Sequence, residues 1–304
     1  MDKIETQLLS QIDDLHAIEQ GSFNIRKNGE SFKRKDDKDI QIISKKDNSG
    51  IDIIVNKNVT NKSVHIPVIV TKGGFNDLVK NDFYIGQNSS VLIVAGCGIH
   101  NSDSSKSSSH DGQHTFHIGK NAKVVYVEKH LGLGEGQKIL NPKTVIYMAE
   151  NSQLEMQTIQ LGGVSYSNRK TLATLKQDAK LLCVEKILTD ESQIAKTDFK
   201  VNLVGKNCSA KITSRSVAKG KSYQKFISNI IGKNECFGHV ECDGIILDQA
   251  VIESVPKVVA KNPQASLVHE AAIGKIAGEQ LVKLQTLGLS EQEAENEIIK
   301  GFLK

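Results

Sequence analysis

The segment that decides the fold is IGKNAKVVYVEKH, residues 118–130. It begins with an apolar residue and a glycine, turns at an asparagine, and continues with alternating apolar and polar residues. The phrase occurs six times along the chain, anchored at Asn88, Asn121, Asn151, Asp178, Asn207 and Asn234. Such a repeat, with a period of about 30 residues, indicates a solenoid.

Each repeat is predicted to be a corner followed by a strand. Asn and Asp tolerate the left-handed backbone of a tight corner at low cost. Helical repeats would show a period of about 3.6 residues, whereas the apolar residues here alternate. The rung length fits one turn of a three-faced parallel β-helix with every second side chain inside. The alternative is an antiparallel sandwich, which would place turns about every 8–12 residues without one repeated phrase.

The composition excludes several classes of function. The 304 residues include 39 Lys and Arg against 35 Asp and Glu, a formal charge of +4, with no basic block between aromatics. So small an excess of positive charge does not indicate a nucleic-acid-binding surface. No apolar run approaches the roughly 20 residues of a membrane span. The N-terminus is polar rather than a secretory signal, so we expect a cytoplasmic protein. Five irregularly placed cysteines argue against a disulfide framework.

The N-terminal region departs from the repeat. Residues 27–48, rich in Lys, Asp and Asn, predict a solvated hairpin or loop. Before them, residues 2–19 predict one amphipathic helix that ends at Gly21. Its apolar face consists of Ile4, Leu8, Ile12, Leu15 and Ile18.

The C-terminal region predicts two helices, over residues 275–288 and 290–304. Gly288 closes the first, and Ser290 with Glu293 forms a capping box for the second. We expect this helix pair to cap the solenoid by covering the open edge of its last rung. We therefore expect three regions: an N-terminal helix and polar region (1–60), a β-helix core (61–268) and a C-terminal helical region (269–304).

A serine-rich stretch, residues 96–119, is the most polar candidate for chemistry. It contains one cysteine and four histidines, namely Cys97, His100, His110, His114 and His117. Their spacing matches no compact zinc module, so a mobile loop is the main interpretation and a metal site the alternative. Cys97 lies between two glycines, which would leave its thiol accessible and reactive.

The other cysteines fall into two groups. Cys208 and Cys236 each follow an anchor, one period apart, so we expect them to stack in neighbouring rungs as buried thiols. Cys183 lies in an apolar strand and is also expected to be buried. Cys242 differs, because VECDG places it between two carboxylates, a setting that a strand interior would not tolerate.

His269 and Glu270 follow Cys242 by one repeat period. Because of this spacing, a continued coil would bring thiol, imidazole and carboxylate to the same end of the solenoid. A thiolate with imidazole or carboxylate is a ligand set for iron or zinc. The sequence has no nucleophile elbow, phosphate-binding glycine loop with lysine, or zincin helix, so nothing points to a hydrolase or an ATPase.

Four segments carry a resemblance to a known family. VECDGIILD (240–248) and the run from Ser266 to Phe302 resemble the C-terminal signature of the SufB/SufD iron–sulfur cluster assembly scaffolds. KSVHIPVIV (62–70) and GKSYQKFISNII (220–231) fit the same family, in its compact SufB-like form. The resemblance implies a right-handed parallel β-helix that dimerises edge to edge and binds a SufC-like ABC ATPase through its C-terminal helices.

The resemblance also implies roles for particular residues. Cys242 matches the cysteine that holds the nascent cluster, Glu270 the acidic residue beside it, and His269 the histidine contributed across the subunit interface. Cys97 matches the entry point for sulfur. The implied protein is a homodimeric scaffold rather than an enzyme, with a transient iron–sulfur cluster and no flavin.

Two other functions are left open by the sequence. One is a β-helical acyltransferase or carbohydrate-acting enzyme that uses His269 or a histidine of residues 96–119 as a base. The other is a structural adaptor whose thiols only fill the core.

Overall fold

The computed structural model of the chain describes residues 1–160 and 162–304, without the side chains of residues 15 and 16. The protein is mainly β, with 58% strand and 11% helix, as the alternating repeat predicts. The helices of the described part are α1 (Lys3–Ile12), α2 (Leu15–Gln20), α3 (Gly278–Gln285) and α4 (Glu291–Phe302). Among the described residues, no helix is long and apolar enough to span a membrane.

The strands form two facing sheets, which are the walls of a parallel β-helix of about eight turns. The first sheet contains β1 (Ser22–Lys27), β2 (Glu30–Lys35), β5 (Lys62–Val70), β7 (Ser90–His100), β9 (Lys123–Leu133), β12 (Gln153–Gln160), β14 (Lys180–Thr189), β16 (Cys208–Ala218), β18 (Cys236–Ile246) and β20 (Ala265–Gly274). The second contains β3 (Ile40–Ser44), β4 (Gly50–Val55), β6 (Asn76–Ile85), β8 (Ser107–Ile118), β10 (Gln137–Leu140), β11 (Lys143–Met148), β13 (Tyr166–Leu175), β15 (Ile194–Leu203), β17 (Tyr223–Gly232) and β19 (Val251–Ala260).

Each turn has two faces, so the prediction of three faces was wrong. Tyr166 of β13 pairs with Ile194 of β15, which is the equivalent position one turn later. Two strands and two short corners, at residues 176–179 and 190–193, account for the whole of this turn. Because the corners are short, the two sheets lie back to back and share one interior, filled by alternate side chains of every strand.

The repeated anchors form one line of corners. Asn88, Asn121, Asn151, Asp178 and Asn207 have φ between 55° and 59°, the left-handed conformation expected of them. The first three also stack, since Asn121 Nδ2 donates to Asn88 Oδ1 at 2.9 Å and Asn151 Nδ2 donates to Asn121 Oδ1 at 2.9 Å. Asn234 is the exception, because its φ is not positive. Its side chain instead accepts the Glu235 amide at 2.9 Å.

Two hairpins close the N-terminal end of the coil. β1 pairs with β2 and β3 pairs with β4, both antiparallel, over the region predicted as a hairpin or loop. The outer strand β2 is mostly exposed and carries Lys33, Arg34 and Lys35, a charged edge that discourages pairing with other chains. Parallel pairing begins with β1 and β4 and ends with β20, so it extends beyond residues 61–268 at both ends.

The N-terminal helix is interrupted at Asp13, so the prediction of one continuous helix over residues 2–19 was wrong. Asp13 is extended, with φ −148° and ψ 165°, and caps α1. Its buried carboxylate is hydrogen-bonded to His65 Nδ1 of β5 at 2.9 Å, and this bond fixes both short helices to the first sheet. Leu8, Ile12 and Ile18 are buried as predicted, whereas the side chain of Leu15 lies outside the described part.

The two C-terminal helices are present, but they do not cover the last rung as predicted. Their capping box is confirmed, since Ser290 and Glu293 bond each other reciprocally at the start of α4. α4 contacts α3 and the outer side of β16, where Arg215 Nη1 donates to the Phe302 carbonyl at 3.3 Å. Just past that strand, Lys219 pairs with Glu295 at 3.1 Å. No strand of residues 1–160 and 162–304 pairs with the outer edge of β19 or of β20.

Candidate functional site

Cys242 lies in the last turn and points into the coil. It is 4% exposed in the middle of β18, in register with Ser214 of β16 and Ala271 of β20. Burial raises the pKa of its thiol to about 11, and the nearby Ser254 hydroxyl of β19 offsets part of that rise. The flanking carboxylates do not prevent strand formation, contrary to prediction, because alternation places them on the outer face.

His269 and Glu270 lie on opposite faces of β20. The imidazole of His269 shares the inner face with Cys242, but its register partner is Val240, one inward position away. Burial lowers its pKa, and its Nε2 is buried without a hydrogen-bond partner. Glu270 is on the outer face, beside Glu241 in register and 3.4 Å from His239 Nε2. Within one chain, the spacing therefore brings thiol and imidazole to the same face but leaves the carboxylate on the other.

The site is at an open edge of the molecule. Within the part of the chain that the structure describes, β20 pairs only with β18, and β19 pairs only with β17. Both edge strands expose large apolar side chains, namely Val251, Val255, Val258, Val268 and Ile273. An unpaired, apolar edge is a template for pairing with another chain.

Cys97 is fully buried, so the prediction of an accessible thiol was wrong. It points inward from β7 and packs with Val68, Leu140 and Val164. Gly96 and Gly98 face outward, and α1 covers them, since a Cβ on Gly98 would lie 3.0 Å from Leu8. The glycines thus allow a helix, rather than a ligand, to approach. Burial raises the pKa of this thiol well above its usual range.

The serine-rich stretch is a strand rather than a mobile loop. Residues 107–118 form β8, and only 101–106 form a turn. His110 is buried and bonds Asp77 at 2.9 Å, and His114 is buried and bonds the hydroxyl of Tyr126 at 2.8 Å. Burial lowers the pKa of His114 to about 4. His117 faces outward, stacked between Tyr84 and Tyr147, and His100 ends β7.

No group of three or more His, Cys, Asp or Glu side chains in residues 1–160 and 162–304 is arranged to hold a metal ion. The alternative of a metal site among the histidines of residues 96–119 therefore has no support. The same holds for Cys242, His269 and Glu270 within a single chain. Any cluster on these three residues would need ligands from elsewhere.

The interior also contains a charged network that the sequence pattern did not predict. Arg169 of β13 is buried and donates to Glu128 Oε2 of β9 at 2.6 Å, and its Nε lies 3.7 Å from Glu185 of β14. Burial would raise the pKa of Glu128, but Arg169 and His130 hold it well below its usual range. The pKa of Glu185 stays raised because burial outweighs the effect of Arg169. The signal that could have found these residues is the strict alternation in VVYVEKH (residues 124–130), which places Glu128 and His130 on the same inward face as Val124.

This network lies between Cys97 and Cys242. Cys97 is in register with His130, which is in register with Gln160. The neighbouring inward row runs through Glu185 and Ser214 to Cys242. A cavity of about 10 Å³ lies between these rows, roughly the space that one water molecule needs. Several atoms around it are buried without a hydrogen-bond partner, namely His130 Nδ1, Thr158 Oγ1, Gln160 Nε2 and Glu185 Oε1.

The remaining cysteines are placed as predicted. Cys208 and Cys236 are in register on neighbouring strands and are buried, and Cys183 is buried inside β14. Burial and the proximity of Cys236 raise the pKa of Cys208 to about 11.

Comparison with known proteins places this architecture in a family. A family model described as the SufBD core domain of SUF-system iron–sulfur cluster assembly matches residues 79–302. An iron–sulfur cluster assembly SufBD family protein of Archaeoglobus fulgidus is 31% identical over 230 residues, which cover 74% of this chain and 60% of that protein. Similar proteins of Methanocaldococcus jannaschii (27% over 254 residues, 83% and 79% covered) and Staphylococcus aureus (27% over 236 residues, 74% and 50%) also match.

The fold and the site define a β-helical protein with an inward thiol and imidazole at an open edge. Because the family model covers most of its length, the chain belongs to the SufBD family of iron–sulfur cluster assembly proteins. This confirms the resemblance and supports a role in cluster assembly. The chain spans less than two thirds of the length of the A. fulgidus and S. aureus relatives.

Proposed function

We propose that the chain is a cytoplasmic, non-enzymatic scaffold that receives sulfur and iron and builds a nascent iron–sulfur cluster. The observation that carries this proposal is the position of Cys242, an inward thiol in the last turn of a SufBD-family coil, beside an unpaired edge. A mixed set of thiolate, imidazole and carboxylate should hold a cluster less tightly than four cysteines would. Loose holding suits a protein that passes its cluster on.

The cluster is proposed to form between two copies of the chain, with ligands from Cys242, His269 and Glu270. Two observations support a homodimer: β19 and β20 present unpaired apolar edges, and the three side chains do not converge within one chain. An isologous dimer presents every interface residue twice, so one cysteine and one His or Glu per chain would supply about four ligands.

Sulfur is proposed to enter at Cys97. Because Cys97 is fully buried, this step requires the coil to open locally at β7. A protein persulfide would then transfer its outer sulfur to the Cys97 thiolate, so that the donor leaves as a thiolate and Cys97 becomes the persulfide. The polar rows from His130 and Gln160 to Glu185 and Ser214 support an internal route towards Cys242. Since the cavity between them is about 10 Å³, passage of sulfur requires side chains to move.

The partner is proposed to be a SufC-like ABC ATPase that docks on the C-terminal helices. No residue of α3 is buried, and Val282 and Leu287 are 58% and 75% exposed. Val282→Asp with Leu287→Asp should abolish co-purification of the ATPase. Val204→Asp, at an exposed valine in a distant corner, is the control. Co-purification that survives in the double variant would place the docking site elsewhere.

Anaerobic reconstitution with ferrous iron and sulfide tests the assembly function. The wild-type protein should turn brown and show sulfide-to-iron charge-transfer absorption, which an acyltransferase or a structural adaptor would lack. Cys242→Ser should abolish bound iron and acid-labile sulfide, and His269→Ala should lower both. Cys183→Ser is the matched control, because its thiol is also buried on the inner face of a strand. Unchanged iron and sulfide in Cys242→Ser would overturn the assignment.

A further inference from the structure

Two cysteines that the proposed function does not use lie side by side at the starts of β16 and β18. Cys208 and Cys236 are direct register partners. Both side chains belong to the inner core, with 0% and 6% exposure, and Cys208 Sγ donates to the Gly205 carbonyl at 3.0 Å. We propose that this pair binds one soft monovalent cation, of the chemical class of Cu(I), independently of cluster assembly.

The strand spacing favours a bridging cation over a disulfide. Neighbouring strands are about 4.8 Å apart, and side chains in register on one face keep about that separation. A disulfide needs its two Cβ atoms about 3.8 Å apart, so the strands would have to approach by about 1 Å. Two metal–sulfur bonds of about 2.3 Å in a line span about 4.6 Å. A two-coordinate cation therefore fits between the thiolates without movement of the backbone.

The surroundings limit the coordination to two ligands. The register partner of Cys236 on its other side is Ala265. Ala179, whose carbonyl accepts the Ser209 amide, lies on the other side of Cys208. The backbone of Gly232 closes over the pair, since a Cβ there would be 3.0 Å from Cys236 Sγ. Two thiolates without a third ligand suit a soft monovalent ion better than Zn²⁺, which takes four.

Binding needs no change of oxidation state. Two thiols and one monovalent cation give a bis-thiolate complex of charge −1 and release two protons. The bound ion would join β16 to β18 at the first residue of each strand, whereas Cys242 lies in the middle of β18. The starting thiols and the product therefore balance in atoms and charge without an oxidant or a reductant.

Anaerobic titration with Cu(I), buffered by bicinchoninate, tests the site. The reduced wild-type protein should hold one Cu(I) that Cys208→Ala and Cys236→Ala each release, with affinity lowered by roughly a hundredfold or more. Cys183→Ser should keep the wild-type affinity for this ion, because Cys183 lies on β14 four residues beyond Ala179, the residue beside Cys208.

X-ray absorption on the wild-type Cu(I) complex decides the question without any variant. Two sulfur ligands and no other coordinating atom would support the proposal. Three or more sulfurs, or nitrogen and oxygen ligands, would overturn it. Unchanged affinity in both alanine variants would overturn it as well.

Discussion

Buried polar groups have different surroundings in the middle turns of the coil and in its last turn. In the middle, Arg169, Glu128 and Glu185 are at most 6% exposed, and the arginine lies between two carboxylates from other strands. In the last turn, His269 has a neighbouring strand on one side, β18, and the edge strands expose valines. Interior charge is stable where turns on both sides supply partners. The last turn has a neighbouring turn on one side, and a second chain would supply partners on the other side.

The largest predicted effect is in the middle of the coil. Arg169→Leu leaves Glu128 buried without its cation, so the free energy of unfolding should fall by about 3–5 kcal/mol. Lys170→Leu, on the outer face of the same strand, is the control and should change stability by less than about 0.5 kcal/mol. Urea denaturation measures both. Equal stability of the two variants would show that the buried pair does not stabilise the middle turns.

The next effect concerns the edge. Val258→Lys places a charge on the exposed strand β19 and should raise the dissociation constant of the proposed dimer at least about a hundredfold. Leu182→Lys, at an equally exposed position on the outer face of β14, should leave it unchanged. Sedimentation velocity measures the oligomeric state. A dimer that survives in the edge variant but not in the control would move the interface to the first sheet's outer face.

Lowering the pH should destabilise the middle turns of the coil, because Glu128 becomes protonated. Its folded pKa is held below the unfolded value of about 4.5 by Arg169, after burial alone would have raised it. Its contribution to stability is therefore fully present above about pH 4.5 and is lost as the pH falls through the folded pKa. The slope attributable to this group is at most about 1.4 kcal/mol per pH unit.

Glu185 acts in the opposite direction, because burial raises its folded pKa. Its contribution is present below the unfolded pKa and is lost as the pH rises through the folded pKa. Comparing wild type with Glu128→Gln by urea denaturation between pH 3 and 7 isolates the first group. The variant should be less stable at neutral pH and lose less stability in acid. Parallel pH profiles would exclude Glu128 as the source.

The smallest predicted effect separates two corners with the same sequence phrase. Asn121 has φ 57° and stacks with Asn88 and Asn151, so Asn121→Ala should cost about 1–2 kcal/mol. Asn234, near the last turn, lacks a positive φ, and Asn234→Ala should cost less than about 1 kcal/mol. Thermal unfolding compares them. Equal losses would mean that the left-handed conformation is not what the asparagines provide.

The sequence predicted what is local and missed what depends on other turns. Asparagine at a corner and alternation along a strand are local, so the first five anchors and the β-helix were predicted correctly. The second corner of each turn, such as residues 190–193, does not carry the repeated phrase, so the number of faces was missed. His110 and His114 looked like loop residues because their partners, Asp77 and Tyr126, come from neighbouring strands.

For the candidate site, the sequence predicted the location but not the arrangement. The period placed Cys242 and His269 on the same inner face of the last turn. Register partners on β18 and β20 are farther apart in the sequence than that period suggested. Cys242 pairs with Ala271, so His269 lies one inward position away. The separation of His269 from Glu270 follows from strand alternation alone. What no single sequence indicates is which groups the edge of a second chain would add.

The most direct test is the cluster content of the monomeric edge variant. Val258→Lys retains Cys242, His269 and Glu270, and it alters only the second sheet's edge. After anaerobic reconstitution, the monomer should hold little iron and acid-labile sulfide, whereas Leu182→Lys should hold as much as wild type. A folded Val258→Lys monomer that binds the wild-type amount of iron and sulfide per chain would contradict assembly between two chains.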